Sequence, residues 1–522
     1  MHRMPTGIRF SVYPFITVAL VAVCVLPATS ANAGGIAVGE QGAVAAGRSG
    51  AFVAKADDAS AMEYNPAGLT ALKGWQLYLG NRFGYDNQQF RRAPLWEYPD
   101  ELSGPRYRTF KTVSNEKPFI LLGPMLALTT DFGLENWTFA IGAYAPAGVA
   151  QKQFPRDVGE IIDGEDIDAG QRFMLTRMDT KILYYNLSAA WKINEKFGVG
   201  VSLQWVDLAQ LDLRLIVNGD DSPGLVTPVS HNFDMEARIQ GSDHVGFSGV
   251  AGMWFRPIPA FQLGLSSRFV PTRLNASAKL SLSPAHEDMA DEPVDIGRFN
   301  ADSSDDLTGA LDGSRDVAFS MTMPMELRGG ARYIHFRNAR ELFDLELDVR
   351  LEFWSQNEAY RINGDGLYAR FAGHTVEVGK ITIPKNWKNT FSVRLGGDVN
   401  VVENRLKLRA GTFFETAAVD KAYAYVDFMA SSRIGASAGA SLTLGRFDIG
   451  VSYAYIIEIP FTVSETEGKI YQQMPGSQCE GPDYDDATLC NEHYMGQPSA
   501  TANSGTYIGT YHFASLALAY RF

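Results

Sequence analysis

The sequence predicts an all-β fold, a 14-stranded antiparallel transmembrane β-barrel with an N-terminal plug (hatch) inside its lumen, and three observations predict it. Residues 343–353 alternate without a break, every odd position apolar and every even one charged, so one strand face meets hydrocarbon and the other meets water or countercharge. Successive runs of this kind are joined alternately by long and by very short connections, as a barrel with outer loops and inner turns requires. Beyond the N-terminal leader, no stretch reaches the roughly 18 to 20 uninterrupted apolar residues of a membrane helix. Composition agrees: 50 glycines, 22 tyrosines, 31 phenylalanines and a formal charge of -13 describe an acidic, aromatic-rich β protein. Polar lumen residues would dilute its apolar surface to the observed mean hydropathy of -0.11.

The leader comes first. Arg3 and Arg9 precede the apolar run 10–26, and Ala31-Asn32-Ala33 supplies a small-x-small cleavage pattern, so residues 1–33 read as a signal peptide and the mature chain starts at Gly34. Val23 beside Cys24 is too bulky for a lipoprotein site, which leaves Cys24 in the discarded leader. Export into an envelope compartment of a Gram-negative bacterium follows, with the outer membrane as the destination.

Residues 34–74 precede the first strand and are small and polar, which suits a plug in a polar lumen. Within "DDASAMEYNPAGLTAL" (57–72), Asp57 or Asp58 caps a short helix that Asn65-Pro66 ends, because proline forces its predecessor out of the helical region. The barrel occupies 75–522. Its strands are expected near 75–83, 118–130, 136–147, 176–194, 197–208, 243–256, 260–280, 317–334, 342–355, 388–400, 405–415, 432–444, 446–458 and 510–522, an even number. The seven long connections, 84–117, 148–175, 209–242, 281–316, 356–387, 416–431 and 459–509, are the extracellular loops. Trp75, Tyr78, Trp137, Trp191, Trp205, Trp254, Trp354 and Trp387 lie at or near strand ends, where interfacial girdles are expected. The closing strand puts Leu516, Leu518, Tyr520 and Phe522 on one face and ends on an aromatic, like the C-terminal signal of outer-membrane proteins.

Cys479 and Cys490 lie close together in a Gly/Pro/Asp/Asn-rich loop, a spacing that suggests a disulfide in an exported chain. A metal site is the weaker reading, since His493 is the one imidazole nearby, and neither a metal nor another cofactor is expected.

Several of these segments resemble one known family. They are Ala56-Asp57-Asp58-Ala59 followed by Asn65-Pro66-Ala67-Gly68, "GLSSRFVPTRLNASAKL" (264–280), "MTMPMELRGGARY" (321–333) with Trp354-Ser355, "WKNTFSVRLGG" (387–397) with "LRAG" (408–411), and "DIGVSYAY" (448–455). In this order and over nearly the whole mature chain, the sequence is similar to the FadL/OmpP1/TodX outer-membrane transporters of long-chain fatty acids and other hydrophobic compounds.

The resemblance implies a monomeric barrel blocked by its plug, with an inward kink in the third strand that opens a hole in the wall. Ala145-Pro146-Ala147-Gly148 suits such a kink, since proline removes a ladder donor and glycine tolerates the bend; the alternative is that Pro146 ends the strand. Capture of a hydrophobic molecule by outer loops would precede its passage through the lumen and lateral exit into the bilayer. Phe154, Ile161, Ile162, Phe173, Leu213, Leu215 and Ile216 are candidates for the capture site, or else simply pack the loops together. By alternation Arg328, Arg332, Arg394, Lys407 and Arg409 face inward, either to bind a substrate carboxylate or to form a salt-bridge ladder with the acids of the ninth strand.

The expected partners are a hydrophobic small molecule, a fatty acid or an aromatic or alkane hydrocarbon, together with outer-membrane lipid and lipopolysaccharide. The acidic balance disfavours nucleic acid. An outer-membrane lipid hydrolase competes, although the eight histidines are scattered without a convincing nucleophile partner. A water-filled porin has no need of residues 34–74, and an adhesin would use the loops alone.

Overall fold

The computed structural model describes residues 35, 38–97, 106–120, 123–145, 151–155, 157–162, 165–168, 170–218, 234–285, 291–300, 303–308, 314–364, 366–371, 374–378, 380–470 and 501–522. The expected signal peptide, Pro146, Gly148, Cys479 and Cys490 lie outside these residues.

Fourteen strands form the wall, several in pieces. They are β1 (Gln76–Arg92), β2 (Val113–Ser114, Phe119–Ile120 and Met125–Thr130), β3 (Trp137–Tyr144 and Gln151–Gln153), β4 (Leu175–Asn194), β5 (Phe197–Asn218), β6 (Asp234–Ile258) and β7 (Phe261–Arg268 and Thr272–Pro284). The rest are β8 (Ser314–Met323 and Glu326–Arg337), β9 (Arg340–Glu352 and Ala359–Asn363), β10 (Lys380–Pro384 and Thr390–Val402), β11 (Leu406–Glu415), β12 (Arg433–Leu444), β13 (Phe447–Val463) and β14 (Gly505–Arg521). Each pairs antiparallel with the next, and β14 returns to β1 with Gln76 opposite Arg521 and Arg92 opposite Gly505. The barrel wall is therefore closed, so the wall itself leaves no edge strand for another chain to pair with.

The alternation behaves as its chemistry demands. On β9, Leu345 and Leu347 are exposed outward while Asp344, Glu346 and Asp348 are buried inside. Outward residues such as Leu187, Leu203, Phe247, Leu265, Ile434 and Leu516 continue an apolar belt around the wall. Several strands run further on the outer side than the sequence suggested. β5 reaches Asn218 rather than ending at 208, because the alternation Leu211-Asp212-Leu213-Arg214-Leu215 continues past the apolar belt.

The aromatic girdle divides in two. Trp75, Trp137, Trp191 and Trp205 are exposed on the outside as expected, whereas Tyr78, Trp254, Trp354 and Trp387 are buried and face inward. For Trp254 the two-residue repeat sets the direction, between the outward Met253 and Phe255, whereas Trp354 and Trp387 lie off the ladder, in the 3-10 turn Trp354–Gln356 and between the two pieces of β10.

Candidate functional site

Residues 38–72 lie within the barrel, folded as a short helix (Ala43–Gly47), a second one-turn helix (Ala61–Tyr64) and a 3-10 turn (Pro66–Ala71). The Asn65-Pro66 pair has the expected effect. Asn65 leaves the helical region at φ -160°, caps the end of the helix, and its side chain accepts a hydrogen bond from Ala67 N at 3.2 Å to start the next turn. The helix itself begins after Ser60, and neither Asp57 nor Asp58 caps it directly: Asp58 instead accepts bonds from the Ser60 backbone at 2.8 Å and from the Ser60 hydroxyl at 2.5 Å. Helices this short are marginal alone, so the segment's shape depends on the wall around it.

That wall supplies a row of carboxylates. Arg48, fully buried, donates to Asp344 at 2.6 Å and to Glu346 and Asp398 at 3.0 Å each. Lys55 reaches Asp344 at 3.1 Å, Asp57 at 3.2 Å and Asp398 at 3.6 Å. Between these cations the backbone itself is held: Phe52 N and Val53 N donate to Asp348 at 2.7 and 2.9 Å, and Ala54 N to Glu346 at 2.6 Å. Such charge-assisted bonds are roughly twice as strong as neutral ones. Burial alone would raise the carboxyl of half-buried Asp57, yet Lys55, Lys407 and Arg332 hold it down to about 2. Desolvation pushes Asp58 up to about 6, against its bonds from Ser60.

Further along, the Asn65 amide donates to Val53 O at 2.8 Å and to Met253 O at 3.0 Å. The Trp254 indole donates to Ala67 O at 3.1 Å and Thr70 Oγ at 3.0 Å, and Gln262 to Ala54 O at 2.6 Å. Glycines on the inner wall make room for these contacts. A methyl group at Gly200 would overlap the backbone of Pro66 and Ala67, one at Gly264 that of Val53 and Ala54, and one at Gly68, within the predicted motif, would strike Ala56. At Gly396 and Gly411 it would strike Arg48. We expect Gly411→Ala to cost the seated segment about 1–3 kcal/mol through overpacking. The readout is raised ion conductance from a barrel that still migrates as folded on a gel.

The predicted lumen cations are nearly all engaged. Arg328 pairs with Glu326 and donates to Glu63 O at 2.8 Å; Arg332 binds Glu341 and Asp344, each at 2.8 Å. Arg394 pairs with Glu40 and, at 2.8 Å, with Glu415, and Arg409 lies 3.4 Å from Asp398. Lys407 is half-buried. Of these cations, only Arg332 meets acids of the ninth strand among the described residues; the other three pair with Glu326, Glu415, Asp398 and, in the N-terminal segment, Glu40.

One lumen arginine that sequence reasoning passed over differs. Half-buried Arg268, on β7, makes no ion pair among the described residues; it donates to Gln204 at 2.5 Å and Ser248 at 3.2 Å and lies 5.1 Å over the ring of Tyr184. Gln204 in turn donates to Tyr144 OH at 2.9 Å, and Tyr144 stacks on Tyr184 with centroids 5.5 Å apart. Tyr144 ends the first piece of β3, and Ala145 is the next described residue. The N-terminal segment reaches the same place, because Gln41 donates to Ala145 O and Met62 occupies the space beside Gly142. Arg268 sits at an inward position of β7, where it faces Val250 of β6 and Glu326 of β8 in register.

On the outer side of this polar layer, the inner wall becomes apolar. Val206 and Leu208 of β5, Leu274 and Leu280 of β7, Phe319, Met321 and Met323 of β8 and Ile362 of β9 are buried in one cluster. Of the proposed capture residues, Phe154, Leu213 and Leu215 belong to that cluster, while Phe173 and Ile216 pack with Ala502. Leu213, Leu215 and Ile216 are strand rather than loop residues, as the extended alternation on β5 explains, and Ile161 and Ile162 lie in a short hairpin strand, Asp157–Ile162.

No curated protein matches the chain significantly. Among solved structures, a Pseudomonas aeruginosa FadL homologue aligns with TM-score 0.67 at 14% identity, covering 94% of this chain and 100% of that one. The Pseudomonas putida toluene transporter TodX aligns with TM-score 0.57 at 14% identity over 93% and 99%. The Ralstonia pickettii toluene transporter TbuX gives 0.54 at 15% identity over 93% and 98%. At such identities these structures share the fold. The sequence model of the family described as outer membrane protein transport protein (OMPP1/FadL/TodX) matches residues 24–481. With most of its length inside that match and its wall closed in the same way, the chain belongs to the FadL/OmpP1/TodX family, the channels that carry hydrophobic compounds across the outer membrane of Gram-negative bacteria.

Proposed function

We propose that this channel takes up long-chain fatty acids passively, with residues 34–74 acting as the plug and the exit lying sideways through the wall at β3. The observation that carries the choice of substrate is Arg268: a lumen guanidinium bonded to neutral partners, at the inner end of a wall lined with leucine, methionine and phenylalanine. A carboxylate with a long alkyl chain satisfies both parts at once, whereas toluene or an alkane leaves the cation unused. The substrate passes from the loops to this apolar wall, its headgroup meets Arg268, and movement of the segment through Gln41 and Met62 frees the edge of β3. No bond of the substrate is made or broken.

Uptake of labelled oleate and of a labelled alkylbenzene, in cells without their own hydrophobe transporter, tests this reading. Wild type should take up oleate in preference. An Asn65→Ala, Pro66→Ala variant loses the bonds to Val53 and Met253, worth about 1–3 kcal/mol, and its oleate uptake should fall severalfold. Alkylbenzene uptake alone would move the assignment to hydrocarbons. Uptake of neither by folded protein would overturn it.

A further inference from the structure

On the outside of the barrel, four adjacent strands break at one level: β7 between Arg268 and Thr272, β8 between Met323 and Glu326, β9 between Glu352 and Ala359, and β10 between Pro384 and Thr390. Side chains replace the missing ladder, with Asn357 accepting from Thr322 N at 3.2 Å and Gln356 from Met325 N at 3.1 Å. The interruption leaves a cavity of about 180 Å³ lined by Arg273, Asn275, Ser320, Thr322, Gln356 and Arg361, among others. One water needs only about 10–15 Å³.

The height of this cavity is fixed by the outward residues. On β7 they run Leu263, Leu265 and Phe269, and then change to Arg273, Asn275, Ser277 and Lys279; on β9 they change from Leu345 and Leu347 to Arg361 and Asn363. The cavity therefore opens at the outer edge of the apolar belt, where the headgroups of the outer leaflet lie. Arg273 makes no ion pair among the described residues. Arg361 pairs with Glu358 at 3.3 Å, but both side chains are more than half exposed, so the pair is weak and open to exchange. Register places Arg273 opposite Thr322, Asn275 opposite Ser320 and Ser320 opposite Arg361, so the two guanidiniums flank a row of hydroxyl and amide groups roughly two strand spacings wide, about 9–10 Å.

We propose that this cavity binds a phosphorylated glycolipid of the outer leaflet, its phosphate held by Arg273 and Arg361 and its sugar hydroxyls by Asn275, Ser320, Thr322 and Gln356. A net charge of -13 would otherwise repel such an anionic headgroup, which makes two available arginines at headgroup height informative. Guanidinium forks match phosphate oxygens in pairs.

The test is equilibrium binding of bis-phosphorylated lipid A, presented in detergent micelles, to the purified mature protein and to an Arg273→Gln, Arg361→Gln variant. Binding should weaken about tenfold in the variant, and equally on wild type when both phosphates are removed from the lipid; Arg273→Lys, which keeps the charge but loses the fork, should fall between wild type and the double variant. Equal affinity in wild type and double variant, both migrating as folded barrels, overturns the proposal. Complete competition by millimolar inorganic phosphate also overturns it, since the site would then hold any free anion.

Discussion

Arg48→Ala is expected to unseat the N-terminal segment and turn a silent barrel into a conducting one. Arg48 is fully buried and bridges Asp344, Glu346 and Asp398, carboxylates from two neighbouring strands. Removing one partner from a buried ionic cluster costs about 3–5 kcal/mol, because the charges left behind stay desolvated. Lys55, Arg332 and Arg409 compensate Asp344 and Asp398 in part, but Glu346 loses its side-chain cation. A shift of that size changes the seated-to-unseated ratio by roughly 10²- to 4 × 10³-fold. Single-channel recording in planar bilayers should show steady conductance in the variant, and trypsin should reach Lys55. Arg48→Lys should fall between, since an ammonium replaces the guanidinium fork with a point charge. Wild-type silence in a folded Arg48→Ala barrel would mean that the backbone bonds to Asp348 and Glu346 hold the segment unaided.

Arg268→Met should separate the substrates. The substitution keeps an unbranched side chain of similar reach and removes the charge, so oleate should lose a charge-assisted interaction of about 1.5–3 kcal/mol. At limiting concentration its uptake should fall about 10- to 100-fold, while an alkylbenzene, which offers nothing to a guanidinium, should be affected less than about twofold. Equal losses for both would point to a disturbed Gln204–Tyr144 network rather than a lost headgroup contact. No loss for either would remove Arg268 from the pathway.

The fold was legible in the sequence because a barrel strand must satisfy two solvents at once, and the two-residue repeat records this directly, nowhere better than on residues 343–353. The site was legible only in part. Alternation placed Arg328, Arg332, Arg394 and Arg409 inside correctly, but it gives no information about what each meets there, and all four meet carboxylates. Arg268 was missed because what distinguishes it is tertiary: its hydrogen bonds go to Gln204 and Ser248, while Glu326, opposite it on β8, is paired with Arg328 and Arg350. Likewise, Gly200, Gly264 and Gly411 read as ordinary β-barrel composition until the backbone they accommodate is in view. The outer ends of β5 and β6 were assigned to loops because the apolar belt stops there, although backbone pairing needs no lipid and continues to Asn218 opposite Asp234.

The bonds that seat residues 48–55 join positions some 300 apart in sequence, 296 for Arg48 with Asp344 and 350 for Arg48 with Asp398. Yet the segment runs into β1 within a few residues, from Leu72 to Gln76. It behaves as a ligand permanently attached to its receptor, at an effective concentration in the millimolar range or above for so short a connection. Any dissociation would be unimolecular, and so would return, at a rate independent of how much protein the membrane holds. A solute at micromolar concentration gains little by competing for the carboxylate row itself. It could shift the balance only by binding an unseated form better than the seated one.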